Sequence, residues 1–171
     1  MIIINTGNGK GKTTAAMGQI LRSLGHGFKV CLIQLFKSES FYGEQKILTK
    51  LDNLDFFSFA KKHPYCVKGI SPKEVRTQCA VAMRKIKEIA DNNKKYDLIV
   101  LEEFTIALRD KFIDENEFIT FVKQLSKESD IIVTGRSASW ALIDAADLVT
   151  EMNEIKHPYN KGIQSKKGIE Y

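Results

Sequence analysis

The chain opens with an apolar segment and a glycine-rich loop, which read Ile2-Ile3-Ile4-Asn5-Thr6-Gly7-Asn8-Gly9-Lys10-Gly11-Lys12-Thr13-Thr14. A short apolar run followed by glycines and then by a helical segment is typical of the strand, loop and helix that bind nucleotide phosphates. Glycines let the backbone turn its N–H groups towards phosphate oxygens, and the helix N-terminus adds a favourable dipole. This stretch therefore predicts a nucleotide-binding α/β protein.

Individual residues of the loop have separate predicted tasks. Lys12 would reach the terminal phosphates, and the hydroxyl of Thr13 would ligate Mg²⁺. The usual spacing, G-x-x-x-x-G-K-[ST], would require glycine where this chain has Thr6. We expect the loop to function because strand, turn and helix still follow in the required order. The predicted phosphate contacts are Gly7, Asn8, Gly9, Lys10, Gly11, Lys12, Thr13 and Thr14.

Patterns of strand and helix alternate along the rest of the chain. The predicted strands span residues 2–5, 29–35, 53–59, 97–101 and 130–134. Strands that alternate with helices imply right-handed crossovers and a parallel sheet. We therefore predict a single α/β domain, residues 1–171, with a RecA-like P-loop fold in which helices cover both faces of a mostly parallel sheet.

Two further helices carry start signals and a recognisable apolar face. Ser71, followed by proline and by glutamate three residues on, predicts one N-terminus, and Asp114 with Glu117 predicts the other. The spacing of apolar residues at three and four predicts which side chains are buried. These are Val75, Cys79, Met83, Ile86 and Ala90 in the first helix, and Phe118, Phe121, Val122 and Leu125 in the second.

A P-loop site also needs an acidic residue at the end of a neighbouring strand. Glu102 and Glu103 follow the apolar run 97–101, and ligands on parallel sheets bind at the carboxyl ends of the strands. Aspartate is commoner at the first of these positions, so the longer Glu102 would act through water or leave the metal to Glu103. Thr13, Glu102 and Glu103 are therefore the predicted Mg²⁺ ligands, and a solvated acidic pair is the alternative.

Composition narrows the class of protein. Cys31, Cys66 and Cys79 form no C-x-x-C pair, so no disulfide framework or zinc knuckle is indicated and a reducing cytoplasm is expected. The apolar runs are too short to span a bilayer, so we predict no membrane partner. A net charge of +5 suits nucleic acid or a bound triphosphate. Because the basic residues are scattered, no nucleic-acid partner is predicted.

Blocks at the ends of the later strands resemble those of the corrinoid adenosyltransferases of the CobA/CobO/BtuR type. The resemblance runs from about Ile4 to Tyr171 and includes the shortened first spacing of the glycine-rich loop. The blocks beyond that loop are Gln34-Leu35-Phe36-Lys37, Gly43-Glu44, Thr134-Gly135-Arg136, Lys156-His157-Pro158 and Gly168-Ile169-Glu170-Tyr171.

This resemblance implies transfer of the 5′-deoxyadenosyl group of ATP to Co(I) of a reduced corrinoid, with release of triphosphate. The corrinoid would be cobalamin, cobinamide or cobyrinic acid a,c-diamide. Because Co(I) is a strong nucleophile, catalysis needs mainly positioning and electrostatics. Lys12, Thr13 and Glu103 would carry it, and Lys37 and Arg136 would add charge around the triphosphate. The resemblance also implies Mg²⁺, a homodimer, and flavodoxin or reduced flavin as electron donor.

Some regions depart from the family pattern. Many members carry Gly-Phe-Thr-Trp after the third strand, where this chain has no tryptophan, and our hypothesis is that Tyr65 replaces one aromatic near the corrinoid. Trp140, the only tryptophan, is expected to pack in the core or at its edge. Because the family motif reaches Tyr171, we expect the polar C-terminal residues to be ordered near the active site or a subunit contact.

Two other functions stay open at this point. A small kinase of the thymidine-kinase type shares the P-loop, but such enzymes commonly carry a zinc-binding cysteine lasso that three isolated cysteines cannot build. A nucleic-acid-coupled ATPase of RecA-like architecture is consistent with the pI near 9.0. That function predicts phosphate release stimulated by nucleic acid and binding that depends steeply on salt.

Overall fold

Strands and helices alternate along the chain in the computed structural model, which describes residues 1–38, 41–60, 62–63, 69–91 and 95–171. The strands are β1 (Ile2–Thr6), β2 (Val30–Leu35), β3 (Leu54–Phe59), β4 (Leu98–Glu102), β5 (Asp130–Thr134) and β6 (Leu148–Glu151). The helices are α1 (Lys12–Gly25), α2 (Gln45–Leu48), α3 (Pro72–Asp91), α4 (Phe104–Arg109), α5 (Glu115–Leu125) and α6 (Trp140–Asp144). A 3₁₀ turn, Pro158–Lys161, follows β6.

The six strands form one sheet in the order β3-β2-β4-β5-β1-β6. All five pairings are parallel, which confirms the predicted α/β class. Strand β5 lies between β1 and β4. The expectation that the acidic pair follows a strand next to the first one is therefore wrong, because β5 separates β4, which ends at Glu102, from the strand that precedes the loop. The last strand, β6, was not predicted, because its four residues are all exposed and carry no buried pattern.

Helices cover both faces of the sheet. Alternate residues of a strand point to opposite faces, and the buried strand residues divide accordingly into two core clusters. One cluster contains Ile4, Ile33 and Leu101 together with the buried residues of α3, α4 and α5. The other contains Leu32 and Val100 together with the buried residues of α1 and α2. Because both faces are covered, the carboxyl edge of the sheet remains the place for a ligand.

The predicted helix starts and faces are confirmed. The Ser71 hydroxyl accepts a hydrogen bond from the N–H of Lys73 (3.2 Å), and Asp114 accepts one from the N–H of Glu117 (2.8 Å). The predicted face of α3 is buried except for Ala90, which packs at its margin. All four predicted residues of α5 are buried.

Trp140 does not pack as predicted. Its side chain is 80% exposed at the first residue of α6, and Leu142 anchors that short helix to the core instead. The physical reason is that a helix of five residues buries only one position, and Trp140 lies on the opposite side. Tyr65 and Cys66 lie outside the described residues. Within the described part of the chain, each helix is too short or too polar to cross a bilayer.

Candidate active site

A cleft of about 620 Å³ lies at the carboxyl edge of the sheet. Its floor is the loop between β1 and α1, and the segments that follow β2, β4 and β5 contribute further walls. The C-terminal segment closes the remaining side. The lining residues are Asn8, Gly9, Lys10, Gly11, Lys12, Thr13, Thr14, Met17, Lys37, Tyr42, Gly43, Glu44, Glu103, Arg136, His157, Gly168, Ile169, Glu170 and Tyr171.

The glycines of the loop allow a close approach to the backbone after β6. A Cβ on Gly7 would lie 2.5 Å from the carbonyl oxygen of Met152, and one on Gly9 would lie 2.7 Å from it. The N–H of Gly9 donates a hydrogen bond to the same oxygen (2.6 Å). Gly7 and Gly11 also have positive φ, which glycine adopts without strain. Gly7 therefore shapes the loop from beneath and is not among the residues that line the cleft.

Lys12 starts helix α1 and is buried. Its Nζ donates a hydrogen bond to the carbonyl oxygen of Gly9 (2.7 Å), so the side chain curls back over the loop. Burial and then the positive charge of Arg136 lower the pKa of Lys12, while Glu103 opposes them. The charged amine is therefore incompletely compensated, and an anion in the cleft would stabilise it.

Lys37 follows β2 and reaches across to the end of β4. Its Nζ lies 2.7 Å from Glu102 Oε1, 3.4 Å from Glu44 Oε1 and 3.3 Å from Thr13 Oγ1. The ammonium group also stands 4.7 Å from the centre of the Tyr42 ring. Burial disfavours the charged form of Lys37, but Glu102, Glu44 and Glu103 together outweigh that effect and raise the pKa of the amine. Lys37 thus supplies a cation beside the predicted metal-binding hydroxyl.

The two glutamates after β4 have different surroundings. Glu102 is fully buried and bonded to Gln34 and Lys37, so it lies behind Lys37 and does not line the cleft. Glu103 lines the cleft, and its buried Oε2 has no hydrogen-bond partner among the described residues. Burial and the charge of Glu102 raise the pKa of Glu103. Oε2 is therefore an acceptor oxygen that is available to a ligand in the cleft.

The backbone around Glu103 is held in an uncommon conformation. Glu103 has a φ of 64°, in the left-handed region, and its N–H donates to Thr134 Oγ1 (3.1 Å). After β5, Gly135 has a φ of 135°, and a Cβ there would clash with the Thr105 hydroxyl. That hydroxyl donates to the carbonyl oxygen of Arg136 (2.8 Å). These contacts fix the ends of β4 and β5 and bring Arg136 to the cleft, and strained residues of this kind concentrate at functional sites.

The C-terminal residues are ordered against the cleft, as predicted. The carbonyl oxygen of Ile169 accepts a hydrogen bond from Lys10 Nζ (2.6 Å). The ring of Tyr171 stacks on Phe41 with centroids 4.6 Å apart and an angle of 15°. His157 lines the cleft, and its Nδ1 accepts a hydrogen bond from the N–H of Tyr159 (3.2 Å). The tail therefore forms a wall of the cleft.

Most of the predicted site residues converge in the cleft, and Gly7 and Glu102 support it from behind. Sequence reasoning missed Met17 and Tyr42, which line the cleft, and also the buried Gln34, which donates to Glu102, and Gln45, which donates to Gln34. Met17 could have been found one helical turn after Thr13, since residues four apart share a helix face. The positions of Tyr42 and Gln45 depend on a segment between β2 and β3 for which the sequence offered no periodic pattern.

The fold and the cleft together define a P-loop nucleotide-binding protein, with a buried lysine on the loop and a carboxylate across the cleft. The family model described as ATP:corrinoid adenosyltransferase BtuR/CobO/CobP matches residues 1–171. The chain therefore belongs to this family of transferases, whose general reaction is the ATP-dependent transfer of an adenosyl group to a corrinoid. This result confirms the resemblance derived from the sequence.

Relatives of similar length carry the same description. A corrinoid adenosyltransferase of a Sinorhizobium species is 34% identical over 174 residues, which cover 100% of this chain and 80% of that protein. A corrinoid adenosyltransferase of Pseudomonas aeruginosa is 30% identical and covers 100% of this chain and 83% of its own length. The corrinoid adenosyltransferase CobA of Salmonella typhimurium is 30% identical over 171 residues, with coverage of 100% and 85%.

Solved structures of more distant proteins share the fold. A KaiC-like protein of Pyrococcus horikoshii superposes with a TM-score of 0.51 at 14% identity, over 91% of this chain and 72% of that one. The cytoplasmic domain of EssC gives a TM-score of 0.54 at 15% identity, over 97% and 33%. At such identities the likeness concerns the fold alone.

Proposed function

We propose that the cleft binds MgATP with its triphosphate on the loop of residues 7–14, and that Lys12, Thr13 and Glu103 carry the adenosyl transfer. The observation that supports this assignment is the convergence of Lys12 and Glu103 on one cleft in a chain of this family. Lys37 and Arg136 add positive charge beside the triphosphate. In the reaction, a bond forms between cobalt and C5′ while the bond from C5′ to the phosphate oxygen breaks.

The leaving triphosphate carries the charge that the protein has to stabilise. Co(I) supplies the electron pair for the new bond, so no residue has to act as a general base. The N–H groups of the loop, Lys12 and Arg136 would hold the phosphate oxygens as negative charge develops on them. Such preorganised donors cost no reorganisation during the reaction, and removing one such donor typically slows an enzyme by about 10²–10³-fold.

Thr13 and Glu103 are the residues we propose to hold Mg²⁺. The buried Oε2 of Glu103, which has no hydrogen-bond partner in the part of the chain that the structure describes, fits this role. Mg²⁺ prefers oxygen ligands and usually binds through one or two carboxylates together with substrate phosphates. A hydroxyl at the first turn of α1 is the other usual ligand in a P-loop site. When bound, the ion would neutralise part of the charge on the triphosphate. Glu102 would contribute only through water or through Lys37.

We further propose a cytoplasmic homodimer that receives its electrons from flavodoxin or reduced flavin. Co(I) requires a reductant, and the free, buried thiol of Cys79 suits a reducing compartment. The exposed apolar side chains of Trp140, Leu148 and Val149 lie on α6 and on the edge strand β6. Exposed apolar groups at a sheet edge are a common feature of subunit contacts.

The test of the proposed function is an anaerobic assay with purified protein, MgATP and chemically reduced cobalamin, cobinamide or cobyrinic acid a,c-diamide. The expected result is a light-sensitive Co–C bond and one triphosphate released per corrinoid adenosylated. The panel of corrinoids also identifies the preferred substrate. Binding of MgATP without adenosylation of any corrinoid would contradict the proposal, and a phosphate-release assay with DNA and RNA would then test the ATPase alternative.

A further inference from the structure

The carboxylate of Glu102 occupies the end of β4, where a P-loop protein commonly carries its metal-binding aspartate. In this chain the side chain is fully buried, and its two oxygens are bonded to different partners. Oε1 accepts from Lys37 Nζ (2.7 Å), and Oε2 accepts from the amide of Gln34. Both carboxylate oxygens of Glu102 therefore already accept hydrogen bonds from protein side chains.

A relay of amides fixes the orientation of this carboxylate. Gln34 and Glu102 are direct neighbours in the parallel register of β2 and β4. The carbonyl oxygen of the Gln34 side chain accepts from Gln45 Nε2 (2.7 Å), so the amino group of Gln34 must face Glu102. Gln45 is itself only 3% exposed. The relay thus holds Glu102 from the side opposite to Lys37, and rotation of the Gln34 amide would place two oxygens against each other.

Lys37 is fixed at the other end of the relay. Its carbonyl oxygen accepts from the Ser58 hydroxyl (3.2 Å), which ties its backbone to β3. Lys37 as a whole is 8% exposed. Its side chain passes the Tyr42 ring, and its Nζ lies 3.3 Å from Thr13 Oγ1. The ammonium group therefore stands at the cleft, whereas the carboxylate that holds it lies behind.

We propose that Glu102 is a positioning residue, which holds the Lys37 ammonium beside Thr13 so that Lys37 binds the triphosphate, and that Glu102 is not a ligand of the metal. This inference rests on the proposed function and deepens it. The length of the side chain is the physical reason. Glutamate reaches Lys37 from the end of β4, and aspartate, one methylene shorter, would withdraw the carboxylate from the amine.

The variant Glu102→Asp distinguishes a metal-binding role of Glu102 from a role in positioning Lys37. If Glu102 were a metal ligand, Glu102→Asp should change the affinity for the metal, because the shorter side chain moves the coordinating oxygens, and should leave metal-free tripolyphosphate binding unchanged. If Glu102 positions Lys37, the same change keeps the charge but loses the contact. The probes are inorganic tripolyphosphate in the presence of EDTA, measured by calorimetry, and Mn²⁺ bound with ATP, measured by electron paramagnetic resonance.

We expect Glu102→Asp to weaken metal-free tripolyphosphate binding about tenfold, because a charge-assisted contact is lost. Lys37→Met should weaken it by at least as much, and the double variant should be no weaker than Lys37→Met alone. Mn²⁺ affinity should stay within about twofold of the wild type in Glu102→Asp. Lys50→Met, which removes an exposed lysine outside the cleft, is the control for a general change of charge.

Equal tripolyphosphate affinity in Glu102→Asp and the wild type would overturn the inference, and so would losses that simply add in the double variant. Loss of Mn²⁺ in Glu102→Asp would overturn it too. Gln45→Met loosens the relay from its far end and should weaken tripolyphosphate binding in the same direction, so the inference remains testable if Glu102→Asp does not fold. Wild-type protein that binds no tripolyphosphate would instead contradict the proposed function.

Discussion

Two walls of the same cleft are built in different ways. The phosphate wall, residues 7–14 with Glu103 and Arg136, rests on the ends of three strands and is tied by partly buried hydrogen bonds. The C-terminal wall, residues 168–171, is attached by the hydrogen bond from Lys10 and by the stacking of Tyr171 on Phe41. The first wall is part of the core, and the second is added to its surface.

This difference indicates that the two walls have different roles in the reaction. Groups that must meet developing charge need a fixed geometry, and rigid scaffold elements supply it. A wall held by few contacts can open for a substrate and close again, because low local stability is what a moving segment requires. We therefore expect changes in the phosphate wall to affect chemistry or folding strongly, and changes in the C-terminal wall to affect substrate binding more mildly.

The largest expected effect is that of Lys12→Met. Its charged amine curls over the loop and lies where it would meet the triphosphate, so its loss removes stabilisation of the leaving group. We expect turnover in the anaerobic adenosylation assay to fall about 10²–10³-fold. Lys50→Met is the matched control and should retain wild-type turnover. A loss of less than about fivefold in Lys12→Met would contradict the assignment of the phosphate wall.

The next effect is expected for Glu103→Gln. If Oε2 binds the metal, the amide should weaken Mn²⁺ binding to the protein–ATP complex and reduce turnover about 100-fold at limiting Mg²⁺, because a metal ion contributes several kcal/mol to stabilising charge. Excess Mg²⁺ should restore part of the activity. Glu128→Gln, at an exposed position outside the cleft, is the control.

The pH dependence of the wild type provides a second measurement on Glu103. Burial and the charge of Glu102 raise the pKa of this carboxyl above its ordinary value of 4.5. Metal binding requires the ionised form, so Mn²⁺ affinity should fall as the pH drops towards that raised pKa. The Glu103→Gln variant should lack this dependence. An identical pH profile in the variant and the wild type would exclude Glu103 as the ligand.

A smaller effect, on folding, is expected for Gly135→Ala. The new Cβ would meet the Thr105 hydroxyl in a backbone with a φ of 135°. We expect the free energy of unfolding in urea to fall by about 2 kcal/mol, within the range for overpacking and for residues held at unfavourable φ. Gly18→Ala is the matched control, because Gly18 lies in α1 with open space around its Cα and alanine should stabilise the helix by about 0.5–1 kcal/mol.

The phosphate wall could be predicted from the sequence to the extent that its parts are local. The strand, glycine-rich loop and helix are contiguous, so the conformation of residues 6–14 can be predicted from the sequence of that segment. The contact between Glu102 and Lys37 was not predicted, because it depends on the register of β2 against β4 across more than sixty residues. The same holds for Met152, whose backbone shapes the loop from β6. Long-range pairing decides such contacts, and no local pattern encodes it.

The C-terminal wall could be predicted only through the resemblance to the family. Residues 157–171 are polar and mostly exposed, and composition alone would indicate a frayed end. For Trp140 the error is the opposite one. A large apolar side chain is expected to be buried, but Trp140 lies on the exposed side of a short helix. In both cases, whether a side chain is ordered or buried depends on the structural element that carries it and not on the type of residue alone.

Deletion of Gly168–Tyr171 should have the smallest effect of the set. The phosphate wall stays intact without these residues, but Lys10 loses its partner at Ile169 and the cleft loses one side. We expect the KM for ATP to rise about tenfold, equivalent to about 1.4 kcal/mol, with little change in the free energy of unfolding. Tyr171→Phe keeps the stacked ring against Phe41 and is the matched control. Wild-type turnover and KM after the deletion would show that the C-terminal wall takes no part in substrate binding, whereas a cooperative loss of stability would show that it belongs to the core and that the two walls do not differ as argued.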